Sequence, residues 1–343
     1  MLRLSRRCVA GLSVVLGCLA AVPAWAEEDG SPQLPRMPAH TYSIVARDAE
    51  TGQLGVAVQS HWFSVGARVA WAEPGIGAVA TQSFTNPSYG PLGLELMAAG
   101  KSAPQALSAL VSIDEGEAVR QVGMVDSRGR AAAHTGSKAI VHACDEVGEG
   151  FTVHANLMAR PTVCDAMVKA YRATQGDLAE RLMAALEAAQ GEGGDIRGKQ
   201  SAALLVVAGE RAETSWRGRI FDLRIEDHAT PIAELRRLLT LARAYGKMNE
   251  GDDHLADGDV AAALESYRAA SRLAPESHEM IFWHAATLAD LGRLEEAEPL
   301  FAKAFAMHPP WRELVRRLPA SGLLPDDPGL IERITSIEAA GEE

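Results

Sequence analysis

A spacing of 34 residues constrains this chain more than any other feature of it. Gly258, Ala263, Tyr267, Ala270 and Pro275 recur as Gly292, Ala297, Phe301, Ala304 and Pro309, every step the same length. Small residues let two helices approach closely, an aromatic fills the space between them, and proline ends the second helix. One such unit cannot bury its own apolar face, so copies stack and neighbouring helices must cap them. A helix expected over 232–247 and the segment 311–318 are the candidate caps, with one more short helix expected beyond Pro325. The repeat therefore commits 231–343 to an all-α domain.

Upstream the hydrophobic period falls to two. Thr41-Tyr42-Ser43-Ile44-Val45-Ala46-Arg47 alternates as a strand should, residues 48–52 supply a turn, and Leu54-Gly55-Val56-Ala57-Val58 makes a second strand, together a hairpin. Further strands are expected at 68–72, 77–82, 120–126, 131–134, 139–143, 151–156, 202–208 and 220–225. Helix pairs are expected at 93–99 and 105–113, the latter opened by the cap Ser102-Ala103-Pro104, and at 163–173 and 178–189. Strands, two helices, strands, two helices, strands: this order suits two packed sheets with helices on their outer faces.

The first 40 residues belong to neither region. Arg3, Arg6 and Arg7 precede an apolar run at 9–22, and Pro23 leads into the small-x-small site Ala24-Trp25-Ala26. A signal peptide over 1–26 is expected, and with it a periplasmic or secreted protein. The run is too short to span a bilayer comfortably. Ser5-Arg6-Arg7-Cys8-Val9 suits a twin-arginine route as well as the general one. Val15-Leu16-Gly17-Cys18 loosely fits a lipidation site, yet apolar residues continue past Cys18. Residues 27–40, with Pro32, Pro35 and Pro38, are expected to be a flexible leader.

After processing, Cys144 and Cys164 are the remaining cysteines; in an oxidising compartment they can pair, or else stay as two buried thiols. With no Cys-x-x-Cys and no histidine cluster at ligand spacing, no metal and no cofactor are expected. The 33 basic and 45 acidic residues give a formal charge of -12, which argues against nucleic acid or an anionic membrane as partner.

Ser43-Ile44-Val45-Ala46-Arg47-Asp48, Gly55-Val56-Ala57-Val58, Gly77-Ala78-Val79-Ala80-Thr81-Gln82 and Asn86-Pro87-x-x-Gly90 form a dense set of motifs. Gly193-Gly194-Asp195-Ile196-Arg197-Gly198-Lys199-Gln200-Ser201-Ala202-Ala203 and Asp222-Leu223-Arg224 complete it. Together they resemble the domain of unknown function 1028 family, a group assigned to the Ntn-hydrolase superfamily. The resemblance runs from 41 to about 228 and implies an α+β fold, a four-layer αββα sandwich over 41–230. The 34-residue unit in turn resembles the tetratricopeptide repeat, with copies at 244–277 and 278–311. That implies a concave surface for a protein or peptide partner, or alternatively a cap on the first domain or a homo-oligomer contact.

In Ntn hydrolases the Thr, Ser or Cys that opens the first strand is the nucleophile and its own α-amine is the base. The amine titrates at about 7.7–8.0 and sits on the nucleophile's own backbone, so the two are always within reach. Thr41 holds that position. The resemblance thus implies hydrolysis of an amide or other carbon–nitrogen bond in a small-molecule substrate of unassigned identity. It requires a second cut between His40 and Thr41, and Ala70-Trp71-Ala72 stands where proteasome-type relatives carry a lysine. The other reading makes Thr41 a β-branched residue that simply opens a strand, and the chain a non-catalytic periplasmic binding or scaffold protein.

Polar loops supply the candidate substrate-binding residues. Asp195 and Arg197 can pair bidentately, either to hold a ligand or to brace a tight glycine-rich loop. Ser83 and Asn86, with Thr85 and Tyr89, lie where a strand turns into a helix whose free N–H groups suit an anion or oxyanion, although Asn86-Pro87 is equally a turn initiator. His61, closing the second strand, is polar but solitary, and His134, His142 and His154 fall inside expected strands without ligand spacing.

Overall fold

The computed structural model describes residues 41–214 and 216–341; the signal peptide expected at 1–26 and the leader expected at 27–40 lie outside them. Strands β1 (Thr41–Arg47) and β2 (Leu54–Ser60) form the anticipated hairpin, with Thr41 opposite Ser60. Asp48 closes the turn, its Oδ1 accepting from the Glu50 and Thr51 amides and from the Thr51 hydroxyl. That arrangement reproduces an Asx-type turn, in which a short carboxylate satisfies the amides of the residues that follow.

These two strands sit centrally in a six-stranded sheet of order β10-β9-β2-β1-β8-β7. Its other members are β7 (Cys144–Gly148), β8 (Phe151–Ala155), β9 (Ser201–Val207) and β10 (Arg219–Ile225). A four-stranded sheet of order β3-β4-β5-β6 contains β3 (Ala70–Glu73), β4 (Gly77–Ser83), β5 (Arg120–Asp126) and β6 (Ala131–Thr135). Every named pairing in both sheets is antiparallel. The fold is thus mixed α/β with two antiparallel sheets.

Side-chain alternation sorts the residues into layers. Tyr42, Ile44 and Ala46 of β1 enter a core completed by α4 (Val163–Ala173), α5 (Leu178–Gly191) and the start of α6 (Pro231–Ala256). Val45 points the other way and packs, with Val56 and Val58 of β2 and Leu205 of β9, against Ala78 and Ala80 of β4. Beyond the second sheet, Val79, Val122 and Met124 meet α2 (Tyr89–Ala98) and α3 (Ala103–Val111). Helices, sheet, sheet, helices: β1 is buried on both faces, by helices on one side and by the second sheet on the other. Burying one Val, Leu or Ile contributes about 1.5–3 kcal/mol, so these two central faces dominate the stability of this part. At α3 the anticipated cap is a full capping box, Ser102 accepting from the Gln105 amide and Gln105 from the Ser102 amide.

Two local expectations fail. The strand expected at 68–72 is split into a short helix α1 (Gly66–Val69) and β3, and no strand forms at 139–143. There the Ile140 and His142 carbonyls accept from the Leu157 and Met158 amides in the loop after β8, and Val141 stays exposed. The strand instead forms next door as β7, an edge strand whose Asp145 and Glu146 face solvent. Charge at an edge discourages further pairing, and an acidic run hides such a strand from a search for apolar alternation. Cys144 of β7 is disulfide-bonded to Cys164 of α4, 20 residues on.

The helical part begins on one continuous rod. Helix α6 has 26 residues, longer than the expected 232–247. Its first half places Ile232, Leu235 and Leu239 in the core beneath the six-stranded sheet, and its second half places Ala244 and Met248 in a separate helical core. Helices α7 (Val260–Leu273), α8 (His278–Asp290) and α9 (Leu294–Met307) follow. Both ends of α9 lie 34 residues after those of α7, and α8 ends 34 residues after α6. Tyr267 and Phe301, the recurring aromatics, are fully buried. Short helices α10 (Trp311–Val315) and α11 (Pro328–Thr335) complete the chain.

A ladder of charge locks α6 to α5. Arg236 pairs with Glu180 at 2.6 Å and Glu187 at 2.9 Å, while Arg243 reaches Asp177 at 2.7 Å and Glu180 at 3.2 Å. Desolvation would raise the Glu180 carboxyl, but hydrogen bonds from Arg236 and Arg243 outweigh it and hold the group below its usual range. These groups are partly exposed, so the ladder orients the helix more than it stabilises it.

The disulfide yields a direct test of stability. Closing a loop of this size restricts the unfolded chain by about 3 kcal/mol. Replacing Cys144 and Cys164 together by serine is expected to lower the unfolding free energy by about that amount. Urea titration of both proteins, with and without reductant, measures it.

Candidate functional site

At one end of the paired sheets the inward-facing residues change from apolar to polar. Thr41 opens β1, Ser60 closes β2, Gln82 lies one residue before the end of β4, Gln121 lies near the start of β5, and Ser201 opens β9. The alternation that sends Val45 between the sheets also sends Ser43 and Thr41 there, and on β8 it sends Thr152 and His154. All are buried.

Their hydrogen bonds form one connected network. The Gln82 amide nitrogen donates to the Thr41 carbonyl at 3.2 Å and to Gln121 Oε1 at 2.7 Å. Its oxygen accepts from the Ser43 hydroxyl at 2.6 Å. The Gln121 amide nitrogen donates to Thr135 Oγ1 at 3.0 Å and to the carbonyls of Cys144 and Ala155 at 3.2 and 2.9 Å. Asn156 donates to Gln121 Oε1 at 2.8 Å.

These partners assign the His154 tautomer. Ser43 spends its proton on Gln82, so it accepts from His154 Nδ1–H across 2.9 Å, and Nε2 accepts the Thr152 hydroxyl at 3.2 Å. A neutral imidazole satisfies every contact. Burial lowers its pKa to about 4, against a weaker opposing pull from Asp145. The ring rests on Gly123: a Cβ at that position would lie 1.6 Å from Nε2, so only glycine admits the histidine.

Thr41, the expected nucleophile, is fully buried within this polar end. Its hydroxyl donates to Ser60 Oγ at 3.3 Å, and its carbonyl accepts from the Asn156 amide at 3.1 Å besides Gln82. Ser83, one residue beyond Gln82, is also fully buried; its hydroxyl has no hydrogen-bond partner and its φ is 69°. A non-glycine residue held in the left-handed region stores about 1–3 kcal/mol of strain, which the surrounding structure must sustain.

The expected Asp195–Arg197 pair forms, at 2.7 Å. Asp195 Oδ1 accepts from the Arg197 amide and Nε, and Oδ2 accepts from Arg197 Nη2 and the His61 amide at 3.1 Å. The buried carboxylate is thus engaged by its own loop and by the residue after Ser60. Gly193, Gly194 and Gly198 have φ of 104°, 59° and 119°, the conformation the loop needs to fold back on itself. Arg197 remains partly exposed.

Asn86 makes the turn into α2: its side chain accepts from the Ser88 amide at 3.1 Å and its carbonyl accepts from Thr81 at 3.0 Å. The structure therefore brings Thr41, Ser60, Gln82 and Ser83 to one end of the sheets and ties the Asp195 loop to the end of β2. Asn86 stands apart on the turn. The residues that sequence reasoning missed are Ser43, Gln82, Gln121 and His154. Among the described residues no group of three or more His, Cys, Asp or Glu side chains could hold a metal ion.

The family model for DUF1028, a family of unknown function, matches residues 41–235. A crystal structure of a Silicibacter pomeroyi protein of that family is similar at 31% identity with a TM-score of 0.54, over 60% of this chain and 89% of that one. No curated protein matches the chain.

Burial of neutral His154 has a pH signature. Its folded pKa of about 4 lies below the unfolded value of about 6.5, so stability is complete above pH 6.5 and falls as pH drops towards 4. The loss across that window is expected to be about 3 kcal/mol. Denaturant unfolding at pH 7 and pH 4.5 should show the difference, and His154→Gln should flatten it while lowering stability at pH 7.

Proposed function

Because the chain belongs to the DUF1028 family, whose function is unknown, we propose an activity read from the site itself: an exported Ntn-type hydrolase that cleaves an amide or other carbon–nitrogen bond with Thr41 as nucleophile. The observation that carries this reading is the surroundings of Thr41. It opens a central strand, its hydroxyl already bonded to Ser60 and its carbonyl clamped by Gln82 and Asn156. Ser83, next in the chain to the Gln82 that clamps Thr41, keeps an unpartnered buried hydroxyl on a strained backbone. Strain and orphaned polar groups are costly, and they concentrate where a ligand makes use of them.

Cleavage between His40 and Thr41 would free the amine. The Thr41 hydroxyl then attacks the substrate carbonyl carbon, its proton passes to the amine, and the oxyanion takes the Ser83 hydroxyl as a donor. The amine returns the proton to the departing nitrogen as the carbon–nitrogen bond breaks, and water then hydrolyses the threonyl ester. Arg197 supplies a partly exposed cation at the rim for an anionic substrate group. Asp195 positions that arginine, and Asn86 shapes the turn beside Ser83.

The layer order supports reading 41–230 as an Ntn-type αββα sandwich. The equal offsets of α6 to α9 support reading 231–343 as a tetratricopeptide-repeat domain with copies at 244–277 and 278–311. A second reading, a non-catalytic binding or scaffold protein, draws support from two facts. Thr41 is buried in the uncut chain, and the four hydrogen bonds to the Asp195 carboxylate, three from Arg197 and one from the His61 amide, brace the loop itself.

Mass spectrometry of the mature protein from an exporting host separates the two. A chain beginning at Thr41, with Thr41→Ala losing at least about a thousand-fold of its activity on an amide panel and Thr41→Ser retaining part of it, is the expected result. A chain that begins at Glu27 and stays so ends the amine-base mechanism in favour of the binding reading.

A further inference from the structure

A groove of about 450 Å³ lies between the second half of α6 and α8, away from the site above. Its lining on α8 runs from Glu279 to Asp290, and at 1.5 Å per residue that is about 16 Å of helix. Apolar and aromatic side chains form part of its wall, among them Trp283, Tyr245 and Leu323, the last two 42% and 49% exposed. Exposed apolar side chains gathered in one groove and rimmed by polar groups mark an interaction surface, where isolated ones would not.

The charged groups of the groove are of one sign. Glu279 stands near one end of α8, Asp290 at the other, and Asp252 faces them from α6; no lysine or arginine lines the groove. The Tyr245 hydroxyl donates to Glu279 at 2.5 Å and the Tyr267 hydroxyl to Asp252 at 2.6 Å. Those bonds orient two carboxylates without neutralising them. Asp290 is the last residue of α8, where the helix dipole is already negative, a placement that costs about 0.3–1 kcal/mol and deepens the negative potential. Elsewhere in the helical part carboxylates do find basic partners, as Glu250 with Lys247 on α6 and Glu296 with Arg293 at the start of α9.

We propose that this groove docks a basic, amphipathic segment of a partner protein. Lysine or arginine side chains engage the carboxylates at the two ends, and apolar side chains between them cover Trp283, Tyr245 and Leu323. Charge complementarity selects this occupant. A second copy of the chain, at a formal charge of -12, is repelled by the same field. The aromatic rings add cation–π attraction for a basic side chain laid across them. The assignment is independent of Thr41 and of any hydrolytic activity.

Calorimetry on the full chain tests it with three synthetic peptides of twelve residues. The first carries two lysines at each end of a leucine–alanine centre, the second glutamates in place of the lysines, the third serines in place of the leucines. The first is expected to bind at least about tenfold more tightly than either of the others, with affinity falling as salt rises. Asp252→Asn, Glu279→Gln and Asp290→Asn combined should weaken it at least about tenfold, as should Trp283→Ala, with the helical circular dichroism of each variant unchanged. Neutralising three exposed glutamates elsewhere, Glu115→Gln, Glu149→Gln and Glu210→Gln, should leave it intact. Equal binding of all three peptides overturns the proposal. So does an equal loss in the remote variant, since attraction would then follow net charge alone. If Trp283→Ala loses its helical signal, Leu323→Ser reads the apolar contact in its place, and an unchanged affinity there counts against the groove.

Discussion

Two carboxamides hold the sheets in register. Gln82 and Gln121 stand opposite each other on β4 and β5, and between them they reach β1, β6, β7, β8 and Asn156. The alanines and valines further along the interface attract without direction, and they would tolerate a slip. An amide whose donors and acceptor all have named partners does not. Losing one of these side chains strands several buried groups, each at about 1–3 kcal/mol, so the polar end specifies the alignment that the apolar end stabilises. His154 extends the same logic to Ser43 and Thr152, in a space that exists because residue 123 lacks a side chain.

From that alignment follows the position of everything chemical. Thr41 and Ser60 face each other because the hairpin register puts them opposite, and Ser83 arrives beside Gln82 because β4 ends there. The Asp195 loop is fastened to the end of β2 through the His61 amide. Apart from Ser83, with its left-handed backbone and unpartnered hydroxyl, these residues are ordinary alone. Their convergence at one rim is what gives the hydrolytic reading its footing.

Much of the architecture was legible. The strand at 120–126 and the helix at 163–173 occupy the expected residues, and the 34-residue spacing returns as equal offsets between helices. The site was less so, for a physical reason. In β8, Phe151, Val153 and Ala155 alternate with Thr152 and His154, a pattern that ordinarily marks a strand with one wet face. Here a second sheet covers that face, and the polar residues satisfy one another across the interface instead of meeting water. Sequence alternation reports that two faces differ; it is blind to what covers them. The same blindness hid β7, where exposed acidic residues sit on a strand stapled by a disulfide. The expected Asp195–Arg197 pair was visible because its members are two residues apart, whereas Gln82 and Gln121 are joined only by the fold.

Helix α6 belongs to two cores at once, and that makes the border between them a matter of geometry. The family match ends at residue 235, in the middle of a turn of helix rather than in a linker. A fragment stopped there would keep Ile232 and Leu235 but lose Leu239 from beneath the sheet, together with both arginines that grip α5. The smallest autonomous piece of this protein therefore includes residues that number among the helical half. The helices beyond are thus joined to the sheets without a hinge, through one unbroken run of helical backbone.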